Sequence, residues 1–154
     1  MRAALFAALA LAASAAPALA HEVKAGDLTL SSLQMRASLG NNPNTAAYVT
    51  IANAGSKPDR LLSVSCACAA KVEAHATEMK GGMSSMRAAG PVAIPAGGKA
   101  VFAPGGLHLM VTGLNTRLAD GAMQEMTLRF ERAGTVKAGF HVKAKIDGGP
   151  SHQH

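Results

Sequence analysis

Apolar and polar residues alternate along much of the chain. Five segments place apolar side chains at every second position: residues 62–68, 71–75, 107–112, 126–131 and 136–146. A period of two is typical of β-strands that bury one face. Residues 45–54 (TAAYVTIANA) are a further strand candidate, and Arg132-Ala133-Gly134 predicts a hairpin turn between the last two segments.

Glycine and proline interrupt these segments often, and no segment has the period of an amphipathic helix. Residues 95–98 and 104–106 are predicted turns. The 154 residues leave room for one domain or two very small ones. Because no internal repeat or linker is visible, we expect one all-β domain of about seven strands, an immunoglobulin-like β-sandwich or a barrel.

The first 20 residues differ from the rest. Met1 and Arg2 lead into an alanine- and leucine-rich run that ends in Ala18-Leu19-Ala20. A basic start, a short apolar core and small residues at the end predict a secretory signal peptide over 1–20. The folded domain is then expected over 21–147, with a flexible tail, GGPSHQH, over 148–154.

Charge and composition exclude several classes of function. The net charge is +6, but the basic residues are dispersed, tryptophan is absent, and the chain has one tyrosine and four phenylalanines. This is a poor surface for stacking single-stranded nucleic acid, and an acidic protein partner fits the charge better. After signal removal no segment is long and apolar enough to span a membrane.

The two cysteines, Cys66 and Cys68, stand one residue apart. On a strand their Cα atoms would be about 6.5–7 Å apart, at the long limit for a disulfide. An exported protein meets oxidising conditions. A local disulfide, two free thiols that pack in the core, and a metal-binding pair all remain open.

Methionine is frequent, at eight residues in the chain. Met126 lies on an apolar strand face, which predicts a packing role, and we extend that expectation to Met35 and Met123. Met79, Met83 and Met86 occur instead in a polar, glycine-rich stretch, ATEMKGGMSSMRA, which predicts an exposed loop. Exposed thioethers, with nearby imidazoles, favour a soft ion such as Cu(I).

Histidine supplies the second part of this pattern. His108 and Met110 are two residues apart on a predicted strand, so they project from one face, opposite Leu109. His75 lies on the polar face of its own strand, beside Glu73. Each feature alone is common in surface strands, and only their combination indicates a metal site.

The combined spacing is H-x10-M-x21-H-x-M, from His75 through Met86 to His108 and Met110. It resembles the spacing in periplasmic copper chaperones of the PCuAC type. The flanking segments KVEAH, IPAGGKAVFAPGGLHLMVTGL and LRFERAGTVKAGFHV also resemble that family, as does NTAAYVTIANAG near the start. The resemblance covers roughly residues 25–147.

The resemblance implies a cupredoxin-like β-barrel with a solvent-near Cu(I) site. Its implied ligands are His75, Met86, His108 and Met110. It also implies delivery of copper in the periplasm, toward the CuA centre of cytochrome c oxidase or alongside a Sco-type protein. The sequence departs from the family at Ser84 and Ala76, where we expect altered tuning of the site, and at the Cys66/Cys68 pair.

The termini suggest a second kind of site. Cleavage after Ala20 would give His21 a free α-amine, and the tail carries His152 and His154. Amine and imidazole nitrogens suit Cu(II), so a Cu(II) buffer or resistance protein is the alternative function. Met79 and Met83 are further candidates for secondary binding, whereas His141 is expected to be an ordinary surface residue.

Two other functions fit less well. A blue-copper electron carrier needs a cysteine thiolate with two histidines, but both cysteines precede His75 and none lies near His108. A zinc hydrolase usually combines histidine with carboxylates, and the sequence has neither an H-E-x-x-H nor a G-x-S-x-G motif. We therefore expect a metal-binding protein without enzymatic activity.

Overall fold

The computed structural model describes residues 21–147, which form eleven β-strands and no helix. The strands are β1 (Val23–Ala25), β2 (Leu28–Arg36), β3 (Asn44–Asn53), β4 (Asp59–Ser65), β5 (Ala69–Lys80), β6 (Met83–Ala88), β7 (Val92–Ile94), β8 (Lys99–Phe102), β9 (Leu107–Leu114), β10 (Met123–Phe130) and β11 (Gly134–Lys143). The predicted signal peptide and tail, with His152 and His154, lie outside the described residues. Within residues 21–147 no helix is long and apolar enough to cross a bilayer.

Eight of the strands form a ring in the order β5-β9-β8-β3-β2-β11-β10-β4. The ring closes where Val64 of β4 pairs with Val72 of β5. The remaining strands attach to this barrel from outside: β6 to β5, β7 to β4 and β1 to β2. The all-β prediction is confirmed, and of the two architectures proposed the barrel is the one observed.

Alternate residues of the barrel strands fill its interior. Leu109 and Val111 of β9 are fully buried, as are Phe140 of β11 and Leu128 of β10. Burying each such side chain contributes about 1.5–3 kcal/mol. The alternation predicted for 107–112, 126–131 and 136–142 is therefore confirmed, with the apolar positions facing inward.

The strand predicted over residues 62–68 differs from the observed strand β4 in two ways: the inward-facing positions are shifted, and the strand ends earlier. A bulge lies opposite the Arg129–Phe130 step, so Val64 pairs with Leu128 and Leu61 pairs with Phe130. The extra residue turns Leu61 inward and leaves Leu62 37% exposed. β4 ends at Ser65, and both cysteines lie in the turn that follows.

Other strand limits also differ from the pattern. β11 ends at Lys143, not at residue 146, because the next amide, Ala144 N–H, donates to the Asp120 carboxylate at 2.9 Å. The alternation does not predict β2, since a register shift between Ser31 and Gln34 interrupts it. Ser32, within that shift, has a φ of 52°.

Candidate metal centre

Three neighbouring strands, β6, β5 and β9, carry the residues of the H-x10-M-x21-H-x-M pattern. His75 of β5 is the direct register partner of His108 of β9. Directly opposed residues on antiparallel strands project from the same face. Because the neighbouring Leu109 points into the barrel, both imidazoles lie on the outer side of this wall.

The two methionines of the pattern project from this same side. Met110 pairs with Glu73, two residues before His75 on β5. Met86 of β6 pairs with Thr77, two residues after His75. Because residues i and i+2 of a strand share a face, the register brings His75, Met86, His108 and Met110 to one side of three adjacent strands.

Hydrogen bonds fix both imidazole rings. His75 Nε2 lies 3.3 Å from Glu73 Oε2, and His108 Nδ1 lies 3.0 Å from the carbonyl oxygen of Gly106. Since carboxylate and carbonyl oxygens accept, each of these nitrogens carries the N–H. The other nitrogens, His75 Nδ1 and His108 Nε2, are then lone-pair donors. A histidine ligand typically donates its second N–H to a carboxylate or a backbone carbonyl in this way.

The two lone-pair nitrogens are buried and have no hydrogen-bond partner. A buried polar atom without a partner is costly and calls for an explanation. The ring centroids are 6.0 Å apart. A transition metal lies about 2 Å from a ligating ring nitrogen, hence about 3 Å from the ring centroid, so one ion fits between these rings.

Glu73 is held by Lys71 as well as by His75. The Lys71 ammonium lies 2.9 Å from Glu73 Oε1. Hydrogen bonds from Lys71 first, and His75 second, hold the pKa of the Glu73 carboxyl below its usual value. The carboxylate is therefore ionised at neutral pH and keeps His75 in one tautomer. The sequence places Glu73 beside His75 but does not indicate this role, and it gives no sign of the contact between His108 and the Gly106 carbonyl.

The residues of the pattern differ widely in how much of each is exposed to solvent. Met86 is 56% exposed, Met110 is half-buried, and His108 is only 6% exposed. His108 thus projects from the outer side of its strand, as predicted, but is buried there. Met86 is therefore the ligand candidate most open to solvent, and the two imidazoles are less exposed.

The stretch with three methionines is a β-hairpin, not the predicted loop. β5 and β6 are joined through Gly81 and Gly82, whose φ values of 59° and 78° fit a two-residue turn of the primed type. Met79 pairs with Ser84, which places it on the side of Met86. Met83 pairs with Lys80 and projects from the opposite side, so the register separates it from the four-residue cluster.

The other candidate residues lie elsewhere. Met35 and Met126 are buried core residues, as predicted, but Met123 is 51% exposed, so a packing role is wrong for it. His21 lies beside His141, with ring centroids 5.6 Å apart. Both are distant in the strand order from β5 and β9.

Cys66 and Cys68 form a disulfide. Their Cα atoms are 5.0 Å apart, closer than on a strand, because the chain turns between β4 and β5. Asn115 holds this turn: its backbone N–H donates to Cys68 O and its side-chain amide donates to Ala67 O. Of the three states left open by the sequence, the disulfide is observed.

Within residues 21–147 no three or more His, Cys, Asp and Glu side chains are grouped closely enough to hold a metal ion. The pair of imidazoles at β5 and β9 can therefore reach three or four protein ligands only through Met86 and Met110. Thioether and imidazole donors together select a soft ion over Mg²⁺, Ca²⁺ or Mn²⁺.

Most of the chain matches the model of a known protein family. Residues 28–142 match the model of the family described as "Putative lipoprotein LpqE-like". A relative from Leifsonia xyli subsp. xyli (strain CTCB07), "Putative lipoprotein Lxx21020", is 34% identical over 100 residues. That match covers 64% of this chain and 60% of the relative, so the chain spans less than two thirds of that protein.

Solved structures with the same fold are PCuAC domains and a related protein. The copper-bound PCuAC domain from PmoF2 has a TM-score of 0.71 and 27% identity, covering 81% of this chain and 99% of that domain. Apo-DR1885 from Deinococcus radiodurans has a TM-score of 0.62 and 27% identity, covering 96% and 99%. The chain belongs to the LpqE-like family, and its barrel is that of the PCuAC domain.

Proposed function

We propose that this protein is an exported copper carrier that binds one Cu(I) ion through His75, Met86, His108 and Met110. The observation that carries the proposal is the pair of buried, unpartnered nitrogens, His75 Nδ1 and His108 Nε2, in rings whose centroids lie 6.0 Å apart on adjacent strands. Two solved relatives, the copper-bound PCuAC domain from PmoF2 and CuI-DR1885, support copper as the ion.

The donor set suits transfer of copper. Thioethers are neutral, soft ligands that do not form disulfides in an oxidising compartment. Met86 faces solvent and is the ligand that an incoming donor reaches first. A partner with stronger donors can replace Met86 and draw the ion outward while both imidazoles still hold it. No step of this process makes or breaks a covalent bond in a substrate, which fits a carrier and not an enzyme.

We further propose that the acceptor lies outside the cytoplasm and is the CuA subunit of cytochrome c oxidase or a Sco-type thiol protein. The lipoprotein description of the relatives supports export. A CuA or Sco-type acceptor supplies thiolates, which bind Cu(I) more strongly than thioethers do. Transfer of copper from the exposed thioether of this protein to the thiolates of the acceptor is therefore favourable.

The test is an anaerobic Cu(I) titration of the chain 21–154 against a chromophoric Cu(I) chelator. We expect one tightly bound ion, with affinity lowered at least 100-fold in His75→Ala. The control, Lys137→Ala, changes an exposed residue on another wall of the barrel and should keep the wild-type affinity. Equal affinity in wild type and His75→Ala would refute the site.

The acceptor is tested separately with the Cu(I)-loaded protein. Mixing it with the soluble CuA domain or a reduced Sco-type protein should move copper to the acceptor, as measured after separation on a column. Retention of copper by this protein with both acceptors would refute the proposed direction of transfer but not the site itself.

A further inference from the structure

A second group of soft and imidazole donors lies on the barrel wall formed by β10 and β11. His141 of β11 is the register partner of Met123 of β10. His21, just before β1, places its ring edge-to-face with that of His141, with the centroids 5.6 Å apart. All three side chains are exposed, Met123 at 51%.

Gly139 provides the space between these side chains. It precedes His141 by two residues on β11 and therefore lies on the same face. A Cβ added there would lie 2.7 Å from Met123 Cε and 3.9 Å from His21 Nε2. The Met123 thioether and the His21 imidazole thus both lie close to Gly139. The side chain of any other residue at that position would displace Met123.

Within the described residues both imidazoles are free of other polar contacts. Among residues 21–147, neither His21 nor His141 makes a side-chain hydrogen bond or ion pair. The two rings line a groove of about 540 Å³ that also includes Ser31, Gln34 and Asp120. The space beside the rings is therefore open to an ion or to water ligands.

This cluster is independent of the His75/His108 site. In the ring of eight strands, β9 and β11 lie on opposite walls. The two groups therefore lie on different walls of the barrel.

We propose that His21, His141 and Met123 form a second copper site, which binds Cu(II). Among first-row divalent ions, Cu²⁺ binds nitrogen donors most strongly. Two imidazoles supply the main ligands, and a methionine thioether is a known weak third ligand of copper. If the signal peptide is cleaved after Ala20, the α-amine of His21 adds another nitrogen. The partner of His21 is then His141, not the tail histidines.

The experiment is a Cu(II) titration of the chain 21–154 in competition with glycine, with EPR to count nitrogen ligands. Every protein in the series also carries His152→Ala and His154→Ala, so that Cu(II) binding by the tail does not contribute. We expect His141→Ala to lower the Cu(II) affinity at least 10-fold and to remove nitrogen couplings. Met123→Leu should lower it about 3-fold. Lys137→Ala, an exposed change on the same strand, is the control.

Two results would overturn this second site. One is unchanged Cu(II) affinity and EPR spectrum in His141→Ala; the other is the absence of Cu(II) binding once the tail histidines are replaced. An unchanged affinity in Met123→Leu would remove the thioether from the ligand set. His75→Ala, which disables the Cu(I) site, should leave the Cu(II) titration unaltered, so failure of either site is distinguishable from failure of the other.

Discussion

His75 and His108 are register partners on two antiparallel strands, and each donates its ring N–H to an oxygen of its own strand or of the turn before it. The other nitrogen of each ring is buried and has no hydrogen-bond partner, and the strand pairing brings the ring centroids to within 6.0 Å of each other. A slip of one residue between β5 and β9 would turn one imidazole toward the core. The register that closes the barrel is thus also what brings the residues of the proposed metal site together.

Met86→Ala should weaken Cu(I) binding about 10- to 100-fold, because it removes the exposed thioether that closes the site on its solvent side. The matched control is Met83→Ala, which removes another exposed methionine from the same strand but from its other side. Chelator competition measures both affinities. A similar loss in the two variants would show that the hairpin binds copper without using the register that we describe.

Removal of the Glu73 carboxylate should affect the site through His75. Glu73→Ala deletes the acceptor that holds the His75 N–H, so we expect Cu(I) affinity to fall about 10-fold, with copper still bound. Glu73→Gln keeps an acceptor oxygen and should recover most of the affinity. NMR of the imidazole nitrogens reports the tautomer directly: a mixture of His75 tautomers in Glu73→Ala is expected. A single unchanged tautomer would mean that the carboxylate does not orient the ring.

Much of the barrel could be predicted from alternation, since β3, β9, β10 and β11 each bury one face. The bulge in β4 could not be predicted in this way, because it depends on which residue of β10 lies opposite. The partnership of His75 and His108 arises from pairing across 33 positions of sequence, and periodicity along one strand does not encode it. The cluster at His141 was missed for the same reason: its three members come from three separate segments.

Removal of the Cys66–Cys68 disulfide should cost little stability and leave copper binding intact. The bridge closes a loop of only three residues, so loop entropy predicts a loss of about 1–2 kcal/mol in Cys66→Ala/Cys68→Ala. The bridge lies beside Ala69, six residues before His75 on β5, or about 20 Å along the strand. Urea unfolding and a thiol assay of the oxidised protein test this. A Cu(I) affinity that falls in the double variant would instead place these sulfurs near the site.

Asp59 is the buried polar group whose loss we expect to be most damaging to the fold. It is 4% exposed, and its carboxylate accepts the backbone N–H groups of Arg60, Arg132 and Ala133. Two of these amides belong to the turn between β10 and β11. Asp59→Ala leaves all three without this acceptor, which should cost about 2–4 kcal/mol of unfolding free energy.

Asp59→Asn separates hydrogen bonding from packing. It retains one acceptor oxygen but places an NH₂ group against a backbone N–H, so its unfolding free energy should lie between those of wild type and Asp59→Ala. Glu131→Gln breaks the exposed ion pair with Arg60 at the same turn and should change stability far less, because exposed pairs contribute little. Urea unfolding of the three variants measures their unfolding free energies and so ranks the effects. If Glu131→Gln were as damaging as Asp59→Ala, the turn would depend on its surface charges and not on the buried carboxylate.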